Sequence, residues 1–192
     1  TRNDFVRMIW DMKCDKVVMV TREFEGGKVT RKCEQYWPPE VGSSETFGVI
    51  KLILEEEIYR ENYTKRHIIM ERDGAIHKFY HFHYISWPDH GVPKTNDMLD
   101  FQFTVNKFKP ESKSPVLVHC IAGIGRTGTY IAMDYCLKQY NDTGKVDVLE
   151  CVKTLRQQRK GMIQTPVSFV VKSNNQIRHD EIAIKFIICE LQ

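Results

Sequence analysis

Val118-His119-Cys120-Ile121-Ala122-Gly123-Ile124-Gly125-Arg126-Thr127-Gly128 is the stretch on which the reading of this chain turns. Before it, Pro115-Val116-Leu117-Val118 is a short, apolar, β-branched run of the kind that forms a buried strand. After it, Ile131, Met133 or Asp134, Tyr135 and Leu137 or Lys138 recur at roughly helical spacing between Thr129 and Tyr140. The pattern predicts a strand, a glycine-bearing loop and a helix N-terminus. Such a loop turns successive backbone N–H groups inward around an anion, and the helix end adds partial positive charge. Cys120 stands at the loop's entrance, where these groups lower a thiol's pKa and hold a thiolate nucleophile. Arg126 stands at the exit, where a planar fork of donors grips two oxygens of a phosphate. His-Cys, five spacers, Arg, Thr or Ser, then Gly arises by chance about once in a million start positions at average residue usage. A buried cysteine followed by an unrelated surface arginine is therefore the weaker reading.

The rest of the chain suits that chemistry. Its 192 residues are enough for one domain with a real core, and 42% hydrophobic with 11% aromatic residues fits a globular protein. A net charge of +3 favours anionic substrates but is too small to argue for nucleic acid. No apolar run approaches membrane-span length and no signal peptide opens the chain, so no membrane partner is expected. Thr1-Arg2-Asn3-Asp4 carries no initiator methionine, which fits a processed piece. Cys14, Cys33, Cys120, Cys136, Cys151 and Cys189 show no paired spacing, and a thiolate enzyme needs a reducing compartment, so the cytoplasm is expected, with the nucleus open.

Taken in order, Asp4 to Met12 reads as a helix burying Phe5, Met8, Ile9 and Met12, capped by Asn3 or Asp4. Val17 to Thr21 reads as a strand, and Glu25-Gly26-Gly27-Lys28 as a turn. Phe47 to Leu54 alternates as a strand, with Phe47, Val49 and Lys51 on one face and Ile50, Leu52 and Leu54 on the other. Thr64–Glu71 and Ala75–Ile85 pair across the Asp73-Gly74 turn. His77, His81 and His83 share a face there, but no carboxylate or cysteine sits at ligand spacing with them. They read as structural histidines, and neither metal nor cofactor is expected. A helix runs from a Thr95 or Asn96 cap to about Phe108, burying Leu99, Phe101, Val105 and Phe108. Asn141-Asp142-Thr143-Gly144 breaks the helix after the loop. Val148, Leu149, Val152 and Leu155 mark another helix, ending near Arg159-Lys160-Gly161. Thr165-Pro166 predicts an N-cap and first turn for a helix packed through Phe169, Val170 and Val171. Ile182 to Cys189 reads equally as strand or helix.

The loop signature resembles that of the cysteine-dependent protein tyrosine phosphatases. Trp87-Pro88-Asp89-His90-Gly91-Val92-Pro93 is similar to the family's mobile acid loop, and Gln157-Gln158-Arg159 with Gln164-Thr165 to its water-positioning glutamine segment. Asp4-Phe5 with Arg7-Met8-Ile9-Trp10, Cys33-Glu34-Gln35-Tyr36-Trp37-Pro38 and His81-Phe82-His83-Tyr84 resemble its structural landmarks. The acid loop and glutamine segment favour the classical, tyrosine-specific branch. The resemblance implies an α/β fold, a twisted mixed central sheet flanked by helices, with the N-terminal part of the family domain missing. It covers residues 1–172 as a catalytic domain and leaves 173–192 as a divergent tail.

It also implies roles. Cys120 attacks phosphorus, Asp89 is the general acid and then the base, Gln164 places the water, and Arg126 with the loop amides of Ile121, Ala122, Gly123, Ile124 and Gly125 holds the phosphate. Thr127 hydrogen-bonds the sulfur and His119 shapes the loop. Glu25 and Lys32 match charged residues near the family's site, although a solvated hairpin explains them equally. The substrates implied are phosphotyrosine proteins, with inhibition by oxyanions such as vanadate. Ile121 replaces a small polar residue, Val6 an aromatic, and Ser168 a second glutamine. The family's recognition tyrosine lies in the missing region, which keeps open a phosphotyrosine-binding pseudophosphatase or substrate trap with little turnover. A phosphoinositide or RNA phosphatase is disfavoured, because Ile121, Ala122 and Ile124 add no positive charge for a polyanion.

Overall fold

The computed structural model describes residues 1–26, 30–89, 91–109, 114–164, 167–171 and 184–188, the last two segments by their backbone. Helix α1 (Arg2–Asp11) leads into β1 (Lys16–Met19), followed by a short ribbon of β2 (Phe24–Glu25) and β3 (Thr30–Arg31). An antiparallel meander comes next: β4 (Ser44–Phe47), β5 (Ile50–Tyr59), β6 (Tyr63–Arg72) and β7 (Ala75–Tyr84). Helix α2 (Thr95–Lys107) precedes β8 (Val116–His119), and α3 (Gly125–Thr143) and α4 (Val148–Gln158) follow it. β9 (Val167–Val171) and β10 (Ile184–Ile188) pair antiparallel apart from the main sheet.

The main sheet has the order β4-β5-β6-β7-β1-β8, in which β7, β1 and β8 are parallel. It is the mixed α/β sheet expected. β1 is buried along its whole length, as a parallel strand covered on both faces must be. Its alternate residues serve two cores. Val17 and Met19 join Val6 and Ile9 of α1 with Leu52, Leu54, Ile68 and Phe79. Val18 and Val20 face α2 and α3 through Phe101, Val105, Tyr130 and Met133. A third cluster joins α3 to α4 through Ala132, Cys136, Cys151 and Leu155. The Asp73-Gly74 turn has both residues at positive φ (50° and 77°), the backbone that lets a two-residue hairpin follow the strand twist.

Several expectations need correction. α1 buries Val6, Ile9 and Trp10, whereas Met8 and Met12 are exposed. The stripe is rotated because the bulky Trp10, with Lys13 Nζ 4.0 Å over its ring, closes the core edge. Phe47 to Leu54 is no single strand: Gly48 takes positive φ and Val49 is exposed at the turn between β4 and β5. Leu149 of α4 and Tyr135 of α3 are also exposed. No side chain caps α2, whose N-cap is Lys94, whereas the Asp147 carboxylate caps α4 by accepting from Glu150 N–H at 2.9 Å. The helix expected after Thr165-Pro166 is a strand from Val167 to Val171, where Val-Ser-Phe-Val-Val finds a pairing partner in 184–188. Thr165 and Pro166 themselves lie outside the described residues, as do His90, Gly27 and Lys28.

One contact fixes where α3 starts. Gly128 lies so near the segment after α4 that a Cβ there would sit 2.5 Å from Ile163 N, and Ile163 N–H donates to Ile124 O at 3.0 Å. Gly128→Ala should therefore force the backbones apart and cost about 1–3 kcal/mol, the usual range for overpacking. Urea unfolding would register it as a lowered midpoint at unchanged slope, and an unaltered midpoint would contradict it.

Candidate active site

The parallel strands β7, β1 and β8 end on the same edge of the sheet, and that is where open α/β sheets place their ligands. Each strand delivers a loop. β8 runs into Cys120, β1 into Thr21 and the β2–β3 ribbon, and β7 into Trp87-Pro88-Asp89. Val20 N–H donates to His119 O at 3.0 Å, which fixes the first two loops side by side.

The Cys120 loop is a strand-to-helix turn. Gly123 takes φ +68°, a conformation a side chain would strain, and Arg159 Nη2 lies 3.4 Å from Ala122 O on its outer side. α3 begins at Gly125, four residues before the expected start at Thr129, so Arg126 and Thr127 belong to the first turn. Burial resists charge on Cys120. The Thr127 hydroxyl and the backbone N–H groups of Thr127, Gly123 and Ile124 outweigh it, and the thiol lies below its ordinary range. The Thr127 hydroxyl is buried with no oxygen or nitrogen partner, so the sulfur is the acceptor open to it. Burial also pushes His119 down to about 4, so it is neutral at pH 7. It therefore holds the loop through hydrogen bonds and adds no positive charge beside Cys120.

Arg126 ties the three loops together. Its Nη1 donates to Glu25 Oε1 and, at 3.1 Å, to Thr21 Oγ1, and its Nη2 donates to Pro88 O at 3.2 Å. Its guanidinium carbon lies 5.7 Å from the Trp87 ring centre. Glu25 is only 6% exposed, which rules out the solvated-hairpin reading for that residue. Lys32 lines the cavity that Cys120, Ile121, Ala122 and Gly123 also line. Asp89 is exposed, and its carboxylate accepts from Gly26 N–H at 2.7 Å. Gln164 packs against Gly125, where a Cβ would meet its Oε1 at 3.4 Å. Arg156 positions that segment by donating to Met162 O and Ile163 O, both at 3.1 Å.

The structure thus brings together Cys120, Arg126, Thr127, His119 and the loop from Ile121 to Gly125, with Asp89 and Gln164 on flanking segments. Ile121 is half exposed on the rim. A cavity of about 620 Å³ runs along the outer edge of β8 between α1 and the loop, touching Phe5, Met8, Leu117, Cys120, Ile121 and Arg159. Asp89 and Arg126 do not line it. Sequence reasoning missed Thr21, Arg156 and Arg66. The signal for Arg66 was present: it alternates with Thr64, Ile68 and Met70 on the core face of β6, where an arginine must be paired.

The chain matches the protein-tyrosine phosphatase family over residues 1–174. It is 41% identical over 170 residues to the receptor-type tyrosine-protein phosphatase U of Gallus gallus, covering 87% of this chain and 12% of that protein. It is 38% identical over 175 residues to the receptor-type tyrosine-protein phosphatase eta of Mus musculus, covering 88% and 14%. It is 39% identical over 180 residues to the tyrosine-protein phosphatase corkscrew of Drosophila virilis, covering 88% and 23%. The chain spans less than a quarter of the length of these relatives. With its mixed sheet, its Cys120-to-Arg126 loop and this match over most of its length, the chain belongs to the protein-tyrosine phosphatase family.

Proposed function

We propose that the chain hydrolyses phosphotyrosine in proteins through a phosphocysteine at Cys120. The observation that carries this reading is the buried Cys120 sulfur, held below the ordinary thiol range by N–H and O–H donors beside Arg126. In the first step the thiolate attacks phosphorus, the P–O bond to tyrosine breaks, and Asp89 gives its proton to the leaving phenolate oxygen. In the second, Asp89 takes a proton from a water set by Gln164, the water oxygen bonds to phosphorus as the S–P bond breaks, and inorganic phosphate leaves with the thiolate restored. The Thr127 hydroxyl eases that departure by stabilising the sulfur's charge.

Arg126 is arranged for the transferring group. Both protons of Nη1 and one of Nη2 go to Glu25, Thr21 and Pro88, which leaves Nε–H and the second Nη2–H among the described residues. Nε–H and the Nη2–H on its side form one edge of the guanidinium, and with Pro88 O taking the other Nη2 proton that edge would receive two phosphate oxygens side by side. Vanadate, an oxyanion of similar shape, should inhibit by occupying this cradle. The cysteines Cys14, Cys33, Cys120, Cys136 and Cys151 are free thiols, which suits a reducing compartment, the cytoplasm by default.

Three outcomes test the reading. Cys120→Ser should abolish release of phosphate from a phosphotyrosine peptide, and retained wild-type turnover would remove Cys120 as nucleophile. Asp89→Ala should lower kcat by about 10²–10⁴-fold on that peptide but far less on a phosphate ester of an acidic phenol, which leaves without a proton. An equal loss on both would exclude the acid role. Wild-type protein that binds the peptide stoichiometrically but never releases phosphate would instead be a trap.

Iodoacetate should alkylate Cys120 before any other cysteine at neutral pH, because its pKa lies below the ordinary range and it lines an open cavity, whereas Cys136, also lowered by its bond with Cys151, is buried between α3 and α4. Cys33 is the informative rival. It is more exposed, yet burial and the charges of Glu23, Glu34 and Cys120 push it up to about 11, so it stays protonated and slow. Mass spectrometry finding Cys33 modified first would contradict the assignment.

A further inference from the structure

Arg66 has no part in the chemistry above, yet it is 7% exposed in the middle of the molecule. Its Nε donates to Glu57 Oε1 at 2.6 Å, which balances the charge, and its guanidinium carbon lies 4.5 Å from the Trp37 ring centre. Its Nη1 points towards the site and reaches two imidazoles, His81 Nδ1 and His83 Nδ1, each at 3.3 Å.

A guanidinium has donors and no acceptor. Nδ1 of both rings must therefore accept, and each neutral ring carries its proton on Nε2. Burial, with the Arg66 charge next in weight, holds both rings well below the ordinary histidine range, so they stay neutral. His81 Nε2–H can then only donate to the Tyr36 hydroxyl, 2.9 Å away. Tyr36 has a single proton. Having accepted from His81, it gives that proton to His119 Nε2 at 2.7 Å. With Nε2 accepting, His119 carries its proton on Nδ1, which lies 3.3 Å from the Cys120 carbonyl oxygen. Four hydrogen bonds thus run in one direction, from Arg66 to the backbone of Cys120. A second arm goes from His83 Nε2–H to Thr21 O at 2.8 Å, and Thr21 Oγ1 accepts from Arg126.

We propose that Arg66 is a positioning residue for the phosphate loop: its donor-only guanidinium sets the proton order through His81, Tyr36 and His119, so that His119 Nδ1–H holds the Cys120 carbonyl. With the order reversed, the His119 Nδ1 lone pair would face that carbonyl oxygen, and repulsion would turn the Cys120 peptide and its sulfur out of register with the N–H donors. The consequence for rate rests on the phosphocysteine reading. The proton order does not.

The test is the tautomer of each ring, read from two-bond proton–nitrogen correlations in protein labelled with ¹⁵N-histidine at neutral pH. Wild-type protein should show His81 and His83 protonated on Nε2 and His119 on Nδ1. Finding His119 protonated on Nε2 overturns the proposal. The Arg66→Met, Glu57→Leu double variant removes the donor without leaving a buried charge unpaired. It should turn His119 into a mixture of tautomers and lower kcat by roughly ten- to a hundredfold, with KM changed by less than about twofold, as misplacement of a reacting group does. Tyr36→Phe cuts the relay downstream of the ion pair, so it should loosen His119 in the same way while His81 keeps its Nε2 proton. It decides the matter even if the double variant fails to fold. His119 held on Nδ1 in either folded variant would overturn the proposal. The expected tautomers in a protein that never releases phosphate would uphold the proton order and overturn the phosphatase reading instead.

Discussion

A negative sulfur buried in protein is unstable unless donors surround it, and the Cys120 loop supplies donors that would meet that condition. Cys120 is 8% exposed, so water cannot carry the charge. The donors must come from backbone N–H groups that are not already used in a ladder or a helix, and a strand-to-helix turn is the place where a chain has them. That requirement explains the positive φ of Gly123, the start of α3 at Gly125 and the burial of Thr127 in its first turn. It explains the bare Gly128 as well. The helix end must press against the segment of Ile163 and Gln164 closely enough that no Cβ fits between them.

The parallel β7-β1-β8 trio turns that local solution into a site. A loop on one strand end is only a cradle. Three strand ends in register bring an acidic loop and a hairpin turn to the same rim, and Arg126 joins them by reaching Glu25, Thr21 and Pro88 at once. Because Pro88 and Gly26 hold the two sides of Asp89, the position of the acid depends on the arginine that would grip the phosphate. In the proposed mechanism, binding and proton transfer are thereby linked through one guanidinium.

What the sequence disclosed follows from how local each signal is. The Cys120-to-Arg126 loop was legible because a phosphate cradle imposes residue types at fixed positions within one turn. The Asp73-Gly74 hairpin was legible for the same reason. β9 was misread as a helix because Thr165-Pro166 is a local start signal, whereas the segment that pairs with Val167–Val171 lies far along the chain at 184–188. The face of α1 was misread because two apolar stripes share Ile9, and only the packing around Trp10 chooses between them. The β6 alternation marked Arg66 as a buried arginine in need of a partner, but not its link to the site, because that link passes through Tyr36, His81 and His119, from three separate segments.

That relay has a cost that bears on why it is there. Arg66, Glu57, His81, His83 and Tyr36 place polar groups where the neighbouring core is Leu52, Leu54, Ile68 and Phe79. A well-packed apolar set of the same volume would stabilise the fold as well or better, since removing charges from water offsets much of what their pairing gains. Nothing about holding the sheet together calls for an arginine at this place. What an apolar core cannot do is define a direction. Hydrogen bonds have a donor end and an acceptor end, and a chain of them anchored on a group that can only donate has one order. On the proposed reading, the core beside β8 gives up packing energy for orientation, and that orientation is delivered at the carbonyl of Cys120, the same residue whose sulfur would attack phosphorus.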